Sequence, residues 1–363
     1  MIAFSWRQFR TQAVIGLAGL VALAAVLLAT GPNLVHIYDT AVAQCRSTGV
    51  RAGNCNNPAS GTYPFLQTLA LDLVLVVPLL VGMFWGAPLI ARELETGTFR
   101  LAWTQSVTRR RWLAVKLGLV GLASAAVGGL LSLMVTWWFS PIDSINQNRF
   151  DPAAFGTHGF VAAGYALFAF ALGATAGLLI RRTIPAMVVT LVGFIATRVL
   201  VTFGIRPHFM APDTMTVSLQ GGQGGLNITS TSAGVQVAGS PPTLPNAWAL
   251  TGTIENNAGQ GPSAAFLRHA CPGLTNGAGF SGPASGVEQS VRGGTREAVP
   301  VPSRLPDPIQ QCITGVASKY HEVVTYQPGS RFWAFQTYET LLFVALSIGL
   351  AGLCVWWVRH RLS

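Results

Sequence analysis

Six long apolar stretches dominate the chain, and segments with polar or charged residues separate each from the next. They lie at residues 13–30, 69–91, 113–139, 160–180, 183–205 and 334–358. A helix needs about 20 residues to cross a hydrocarbon core of about 30 Å. The pattern therefore predicts an α-helical polytopic membrane protein with six transmembrane helices.

The first stretch is the shortest of the six, and it follows Arg7 and Arg10. A basic region before a short apolar run is also typical of a cleaved signal peptide, which is the alternative interpretation. Thr30-Gly31-Pro32 follows the stretch, where a signal peptide would have a small-x-small cleavage site. We therefore expect an uncleaved anchor.

Positive charge is concentrated in the short segments on one side of the predicted spans. With the N-terminus inside, the cytoplasmic segments hold twelve Lys and Arg residues but only two acids, Glu93 and Glu95. The outer segments hold ten basic and nine acidic residues. Short cytoplasmic loops are enriched in Lys and Arg, so this asymmetry predicts that both chain ends are cytoplasmic. It also accounts for the net charge of +10 without a nucleic-acid partner.

The outer segment between the fifth and sixth spans is long, polar and rich in Gly, Ser, Asn and Pro. It covers residues 206–331 and predicts a mixed α/β extracytoplasmic domain. Thr214–Gln220 and Leu226–Val237 alternate in polarity, as half-buried strands do. The glycine-rich run Gly221–Gly225 between them predicts a hairpin loop, and Pro306–Val324 predicts a helix.

Four of the five cysteines fall in predicted outer segments, where disulfides persist. Three pairings are possible. We favour Cys45–Cys55 and Cys271–Cys312, because each pair lies within one segment; free or cross-paired thiols are the alternative. Cys354 lies in the last span and is expected to be a packed free thiol.

Three charged residues lie inside the predicted spans: Asp72, Arg198 and Glu339. An unpaired charge at the bilayer centre costs at least about 2.5 kcal/mol on insertion scales. We therefore predict that Arg198 pairs with Glu339 or Asp72 in an intramembrane charge network. Such a network either locks the helices together or serves a substrate or proton relay, and the sequence leaves both open.

The sequence holds no motif for chemistry of its own. Neither lysine lies in the G-x-x-x-x-G-K-[ST] context that cradles phosphate, and no G-x-S-x-G nucleophile turn occurs. His321-Glu322 is not followed by a second His at the zincin spacing. We therefore expect a non-catalytic protein without a cofactor or metal, whose energy source is on another chain.

The segment between the second and third spans carries the most informative pattern. Glu93 and Glu95 precede Gly97-Thr98, an apolar stripe follows at Phe99, Ala102 and Trp103, and arginines 109–111 precede the next span. The pattern is typical of a short helix at the membrane interface. A solvated loop with cytoplasmic arginines is the alternative interpretation.

This segment resembles the coupling region of type-two ABC exporter permeases, in which R-E-x-x-x-G-T leads through Thr-x-Ser/Thr-Arg to a Lys at the next span. The matching residues are Arg92, Glu93, Gly97, Thr98, Thr104, Ser106, Arg109 and Lys116. The family's usual Pro before the Ser/Thr-Arg end is absent, and Gln105-Ser106-Val107 stands there instead. Residues 1–12 resemble the family's N-terminal elbow helix. Residues 326–339 are similar to the start of the last span in uncharacterised permeases of high-GC bacteria.

The resemblance implies a permease subunit in a bacterial cytoplasmic membrane that pairs with a second copy or a homologous permease. A separate ABC ATPase subunit would bind ATP-Mg and receive the coupling segment, residues 92–112. The ATPase-coupling residues would be Arg92, Glu93, Glu95, Gly97, Thr98 and Arg100. Glu93, Glu95 and Arg100 would pair with charged groups on the ATPase. The resemblance gives no transported substrate.

The implied organisation has four parts. They are the elbow helix at 1–12, the first five spans at 13–205, the outer domain at 206–331, and the last span with its cytoplasmic tail at 332–363. A secondary transporter is one alternative, but it predicts inverted repeats and paired broken helices, which we do not find. A membrane-anchored receptor or enzyme predicts a nucleophile or metal set in the outer domain, and none stands out.

Overall fold

The chain divides into two compact units in the computed structural model. This structure describes residues 2–47, 62–97, 109–146, 149–220, 224–231, 234–241, 244, 246–272, 279–283 and 307–360. The first unit comprises Met1–Phe209 and Ser330–Ser363, and the second comprises Met210–Gly329. The first unit is helical and the second contains the strands.

Among the residues that the structure describes, the helical unit has six helices long and apolar enough to cross a membrane, the number that the sequence predicts. Its elements are α1 (Ile2–Ser47), α2 (Tyr63–Val81), a π turn (Gly82–Gly86), α3 (Ala87–Thr96), α4 (Arg109–Asn146), α5 (Pro152–Phe155), α6 (Val161–Ile180), α7 (Thr183–Val199), a second π turn (Leu200–Ile205), a 3₁₀ turn (Arg206–His208), a further 3₁₀ turn (Gly329–Arg331) and α10 (Phe332–His360). The spans are α1, α2 with α3, α4, α6, α7 with its π turn, and α10.

The first span is much longer than its apolar run. The candidate span covers Arg10–Gln44, and α1 continues through Thr30, Gly31 and Pro32 without a break. These three residues occupy the position at which a cleaved signal peptide would have its cleavage site. The apolar run is shorter than the helix, because polar residues beyond the run are also helical.

A π turn, Gly82–Gly86, interrupts the second span between Pro78 and Pro88. The backbone of this turn lies close to α6: a Cβ on Gly82 would lie 2.6 Å from the carbonyl oxygen of Ala169. A Cβ on Gly173 of α6 would overlap the carbonyl oxygen of Gly82. Small residues permit this close helix contact.

The second unit contains two three-stranded antiparallel sheets. Its elements are β1 (Asp213–Val217), β2 (Gly225–Thr231), β3 (Gly234–Gly239), β4 (Trp248–Glu255), α8 (Ala264–Ala270), β5 (Gly279–Pro283), α9 (Asp307–Ala317) and β6 (His321–Gln327). One sheet has the order β1-β6-β4 and the other β3-β2-β5.

The first predicted strand, Thr214–Gln220, corresponds to β1, but the second, Leu226–Val237, is divided into β2 and β3, which pair with each other. The predicted hairpin between the two predicted strands is wrong. β1 pairs with β6, whereas β2 pairs with β3 and β5. The helix predicted over Pro306–Val324 ends at Ala317, and the residues from His321 form strand β6. Polarity alternation identifies a strand without identifying its partner.

A small apolar core and a disulfide hold the second unit together. The core contains Leu219, Leu226, Ile228, Ile254, Leu267, Cys271, Cys312, Ile313 and Val316. Cys271 and Cys312, one of the two predicted pairs, form a disulfide with their Cα atoms 4.1 Å apart. The Cys45–Cys55 pairing lies outside what the structure describes. In the helical unit, Cys354 is a buried free thiol 3.2 Å from Thr175 Oγ1.

A buried carboxyl group lies among glycines in the second unit. Glu322 of β6 is fully buried, and its Oε2 accepts a hydrogen bond of 3.0 Å from the backbone nitrogen of Gly225. Its Oε1 has no hydrogen-bond partner in the described part of the chain. A Cβ on Gly239 would lie only 2.8 Å from that oxygen. Burial raises the pKa of Glu322, and the Gly225 hydrogen bond opposes this shift only in part.

The Glu322 carboxyl should make the second unit less stable as the pH rises. Because its folded-state pKa lies above the ordinary glutamate value, the free energy of unfolding is greatest below that ordinary value. It then falls as the pH rises through the folded-state pKa. Glu322→Gln keeps the side-chain shape without a charge, so we expect it to remove most of this dependence.

Hydrogen exchange of the β2 and β6 amides in the full-length protein measures the effect, as opening free energies at about pH 5 and about pH 8. Glu255→Gln on the neighbouring strand β4 is the control, because the Glu255 side chain is only half-buried. The prediction is wrong if wild type and Glu322→Gln lose equal protection between the two pH values.

Candidate functional site

Two carboxylates near the end of helix α3 attach this end of the helix to neighbouring helices. Glu93 of α3 forms an ion pair with the Nζ of Lys116 on α4, and the Lys116 side chain is almost fully buried. Lys116 Nζ also lies 4.8 Å from the centre of the Trp112 ring. A buried ammonium group needs a charged partner, so this pair fixes α3 against α4.

The second carboxylate joins α3 to α7. Glu95 accepts hydrogen bonds from the backbone nitrogen of Thr183, at 2.8 Å, and from its hydroxyl group, at 2.7 Å. Thr183 is the first residue of α7, whose first backbone N–H groups have no partner within the helix. A carboxylate is favourable there because it also faces the positive end of the helix dipole. Glu95 therefore caps α7 from another helix.

Apolar packing lies beside these contacts. The cluster contains Ile90, Trp112, Leu113, Ala174, Leu178, Cys354 and Val358, which come from α3, α4, α6 and α10. We call this end of the helical unit, with Glu93, Lys116, Glu95 and Thr183, the basic end. The chain leaves it at Gly97, which has a φ of +70° that favours glycine.

Two predicted coupling residues have partners within this chain. Glu93 and Glu95 were expected to face charged groups on an ATPase, but each has a partner within this chain. The side chain of Arg92 is exposed. Thr98 and Arg100 lie outside what the structure describes. Thr183 was not among the predicted site residues, although a Thr at a helix start is a common capping signal.

A second polar site lies at the opposite end of the helical unit. Glu339 of α10 accepts two hydrogen bonds from Arg206, from Nε at 2.7 Å and from Nη2 at 2.9 Å. The hydroxyl group of Tyr165 on α6 donates to the same carboxylate. All three side chains are 0% exposed. We call these three residues the Glu339 cluster; it joins α6 and α10 to the turn that follows α7.

The predicted partners of Glu339 are wrong. Arg198 makes no ion pair with it; its guanidinium lies over the Tyr165 ring, 3.7 Å from the ring centre. Asp72 is exposed and forms no ion pair with any residue that the structure describes. Arg206 lies one residue beyond the predicted end of the fifth span and so was not among the predicted intramembrane charges.

The second π turn explains why Arg206 is the partner. This turn, Leu200–Ile205, adds about one residue to the helix, which brings Arg206 to nearly the same helical face as Arg198, about two turns further on. The spacing of Arg198 and Arg206 in the sequence was the available signal for this arrangement. It could not be used, because the sequence did not indicate the π turn.

Gln336 adds uncharged contacts beside the Glu339 cluster. Its Oε1 accepts a hydrogen bond of 3.0 Å from the backbone nitrogen of Val161. Its Nε2 donates to the carbonyl oxygens of Phe155 and His158, both at 3.0 Å. The buried amide thereby satisfies backbone groups at the start of α6. Gln336 carries no charge, so the prediction of intramembrane charges did not include it.

Both sites connect helices. The basic end joins α3 to α4 and α7, and the Glu339 cluster joins α6 and α10 to the turn after α7. Within the described ranges, no three His, Cys, Asp or Glu side chains converge as metal ligands do. Side-chain contacts therefore connect the helices at both ends of the bundle.

The comparison with known families agrees with this architecture. The family described as ABC-2 membrane transporter related matches residues 17–206, which is more than half of the chain and includes Glu93, Lys116 and Thr183. No curated protein and no solved structure matches the chain. The protein is a multi-pass membrane protein and the membrane subunit of a transporter, and the chain belongs to the ABC-2 membrane transporter related family.

Proposed function

We propose that this chain is the permease subunit of an ATP-driven exporter and works with a separate ABC ATPase subunit. The observation that carries this proposal is the attachment of the α3 end to two further helices, through Glu93–Lys116 and Glu95–Thr183. The family also implies an ABC ATPase partner in general.

The segment after Gly97 would dock on the ATPase. Gly97 ends α3 in a left-handed conformation, and the chain then enters the segment that contains Thr98 and Arg100. A displacement of that segment would move the end of α3. The Glu93 contact would pass the displacement to α4, and the Glu95 contact would pass it to α7.

Within this mechanism the two glutamates are positioning residues. Their carboxylates are engaged inside the chain, so the ATPase would be contacted by Arg92, Thr98 and Arg100 instead. ATP and Mg²⁺ would be bound by the partner subunit, since the sequence has no phosphate-binding loop.

We place the basic end in the bacterial cytoplasm, together with both chain ends. The charge distribution supports this orientation, with twelve basic and two acidic residues in the inner segments. The unit of two small sheets would then lie outside the cytoplasmic membrane. The functional exporter would contain two permease chains, either two copies of this one or this chain with a homologous permease.

A charge swap tests whether Glu93 acts through Lys116. We expect Glu93→Lys alone, or Lys116→Glu alone, to abolish stimulation of a co-expressed ABC ATPase by the permease, because each places like charges in a buried contact. The double variant restores the pair with reversed signs, so we expect it to recover stimulation. Thermal unfolding of each variant shows whether it folds. Recovery of folding without any recovery of stimulation would indicate that Glu93 contacts the ATPase directly.

Arg100→Glu tests the docking segment itself. We expect the ATPase no longer to co-purify with this variant, because a charge of the opposite sign would face its docking surface. Arg359→Glu is the matched control, since Arg359 is an exposed arginine at the end of α10. Equal co-purification with both variants would refute the docking role of the segment.

A further inference from the structure

Two opposite charges within the candidate spans have no ion-pair partner in the described part of the chain. Asp72 lies in the second span and is exposed, whereas Arg198 lies in the fifth span and is half-buried. An arginine keeps its charge in proteins. Charged groups within membrane spans normally face the bundle interior or pair with one another. Asp72 and Arg198 therefore leave one unmatched charge of each sign at the surface of the helical unit.

Asp72 belongs to an exposed apolar stripe on α2. The other members of the stripe are Phe65, Leu69, Val76 and Leu80, each at least 40% exposed. Spacings of three and four residues place them on one face of the helix together with Asp72. The carboxylate therefore faces away from the helical unit, towards its surroundings in the membrane.

Arg198 lies beside the exposed face of α7. Its guanidinium lies over the Tyr165 ring, 3.7 Å from the ring centre. Its Nη2 lies 2.9 Å from the position of a Cβ on Gly156, which precedes the start of α6. Ile195 and Val199 on the exposed face are 48% and 52% exposed. The ring and the glycine position the guanidinium, but neither supplies a carboxylate.

Both charges lie in the half of the bundle away from the basic end. The second span and α6 run in the same direction and touch where Gly82 meets Ala169. Asp72 lies ten residues, about 15 Å, before Gly82. The Arg198 guanidinium lies over Tyr165, which is four residues, about 6 Å, before Ala169. From there it extends towards the start of α6, which brings it closer to the level of Asp72.

The second span and α7 are neighbours in the helical unit. Ala87 of α3 and Ala186 of α7 belong to one buried cluster, and Glu95 caps α7. The two unmatched charges are thus carried by neighbouring helices. A two-fold interface is formed by the same surface of both copies, so a pair of different residues across it occurs twice.

We propose that Asp72 of one copy of this chain pairs with Arg198 of a second copy, and the reverse, across a two-fold interface formed by the second span and α7. Charge complementarity selects this partner. A lipid phosphate group would attract Arg198 but repel Asp72, whereas a second copy supplies a partner for both. The inference deepens the proposed pairing of two permease chains and does not depend on ATPase coupling.

Charge reversal tests pairing between chains. In a dimer of Asp72→Arg, arginine would face arginine at both contacts, and in a dimer of Arg198→Asp, aspartate would face aspartate. In a mixed dimer of the two variants, both contacts join an arginine to an aspartate. We expect each variant to associate with itself at least about tenfold more weakly than the wild type, because like charges face each other. The mixed dimer should recover nearly the wild-type association.

Energy transfer between donor- and acceptor-labelled full-length copies measures the association, in phospholipid vesicles at a series of protein-to-lipid ratios. Leu133→Arg on α4 is the matched control for an added arginine. Leu133 is 53% exposed and lies ten residues before the end of its candidate span, as Arg198 does. A mixture of Leu133→Arg with Arg198→Asp should not recover the association.

Three results would overturn the proposal. They are self-association of both reversal variants at the wild-type level, no gain in the mixture, and an equal gain with Leu133→Arg. An absence of energy transfer in the wild type would also overturn it, but stimulation of the ATPase by that same chain would leave the proposed function standing.

Asp72→Asn and Arg198→Gln are the substitutes if a reversal variant does not fold. Either change alone removes both pairs from a dimer, so the double variant should associate no more weakly than the weaker single variant. Additive losses would show that the two side chains do not meet.

Discussion

Replacing Arg206 by alanine is expected to lower the free energy of unfolding by about 3–5 kcal/mol, because it leaves a buried carboxylate without its partner. Glu339 accepts two hydrogen bonds from Arg206 and a third from Tyr165, and none of the three side chains is exposed. Within a candidate span, little water is present to solvate the remaining charge. The effect should therefore exceed that of any exposed ion pair.

Unfolding in mixed detergent micelles measures the loss, and Arg198→Ala is the matched control. Arg198 lies over the Tyr165 ring but makes no ion pair, so its removal should cost only about 0.5–2 kcal/mol. The double variant Arg206→Met with Glu339→Met removes both charges and should recover much of the stability. Equal losses of stability in Arg198→Ala and Arg206→Ala would refute the expectation that the ion pair between Arg206 and Glu339 has the larger effect.

The membrane spans were predictable because hydrophobicity dominates their formation. Each run of about 20 apolar residues has one favourable environment, and the structure has a helix at all six positions. The exact extents were less predictable. Helix α1 continues past Pro32 to Ser47, where the apolar pattern has already ended. Helical hydrogen bonding, unlike hydrophobicity, does not stop at the last apolar residue.

Side-chain partners were harder to predict than the spans. The sequence identified Glu339 as a buried charge, but a π turn decides that Arg206 reaches it. It likewise marked Glu93 and Glu95, yet their partners Lys116 and Thr183 lie on other helices. Such pairings depend on helix rotation and separation, which a single sequence does not specify. The strand partners of β1 and β2 were missed for the same reason.

Gly173→Ala is expected to destabilise the helical unit by about 1–3 kcal/mol, because its added methyl group meets backbone instead of a side chain that can move. A Cβ there would overlap the carbonyl oxygen of Gly82 and would lie 2.8 Å from the backbone nitrogen of Ala87. Both contacts are on the second span, one at the start of the π turn and one at the start of α3. The helices must separate to admit the methyl group.

Gly349→Ala in α10 is the control, because a Cβ there meets nothing within 4 Å. Alanine favours a helix over glycine by up to about 1 kcal/mol, so this variant should be neutral or slightly more stable. Thermal unfolding in detergent compares the two, and equal melting temperatures would show that α6 and the π turn are not in tight contact. Separation of α6 from the second span would also displace α3, which carries Glu93 and Glu95. ATPase stimulation should therefore fall in the Gly173→Ala protein that still folds. This loss would occur although Gly173 takes part in neither the Glu93–Lys116 contact nor the Glu95–Thr183 contact.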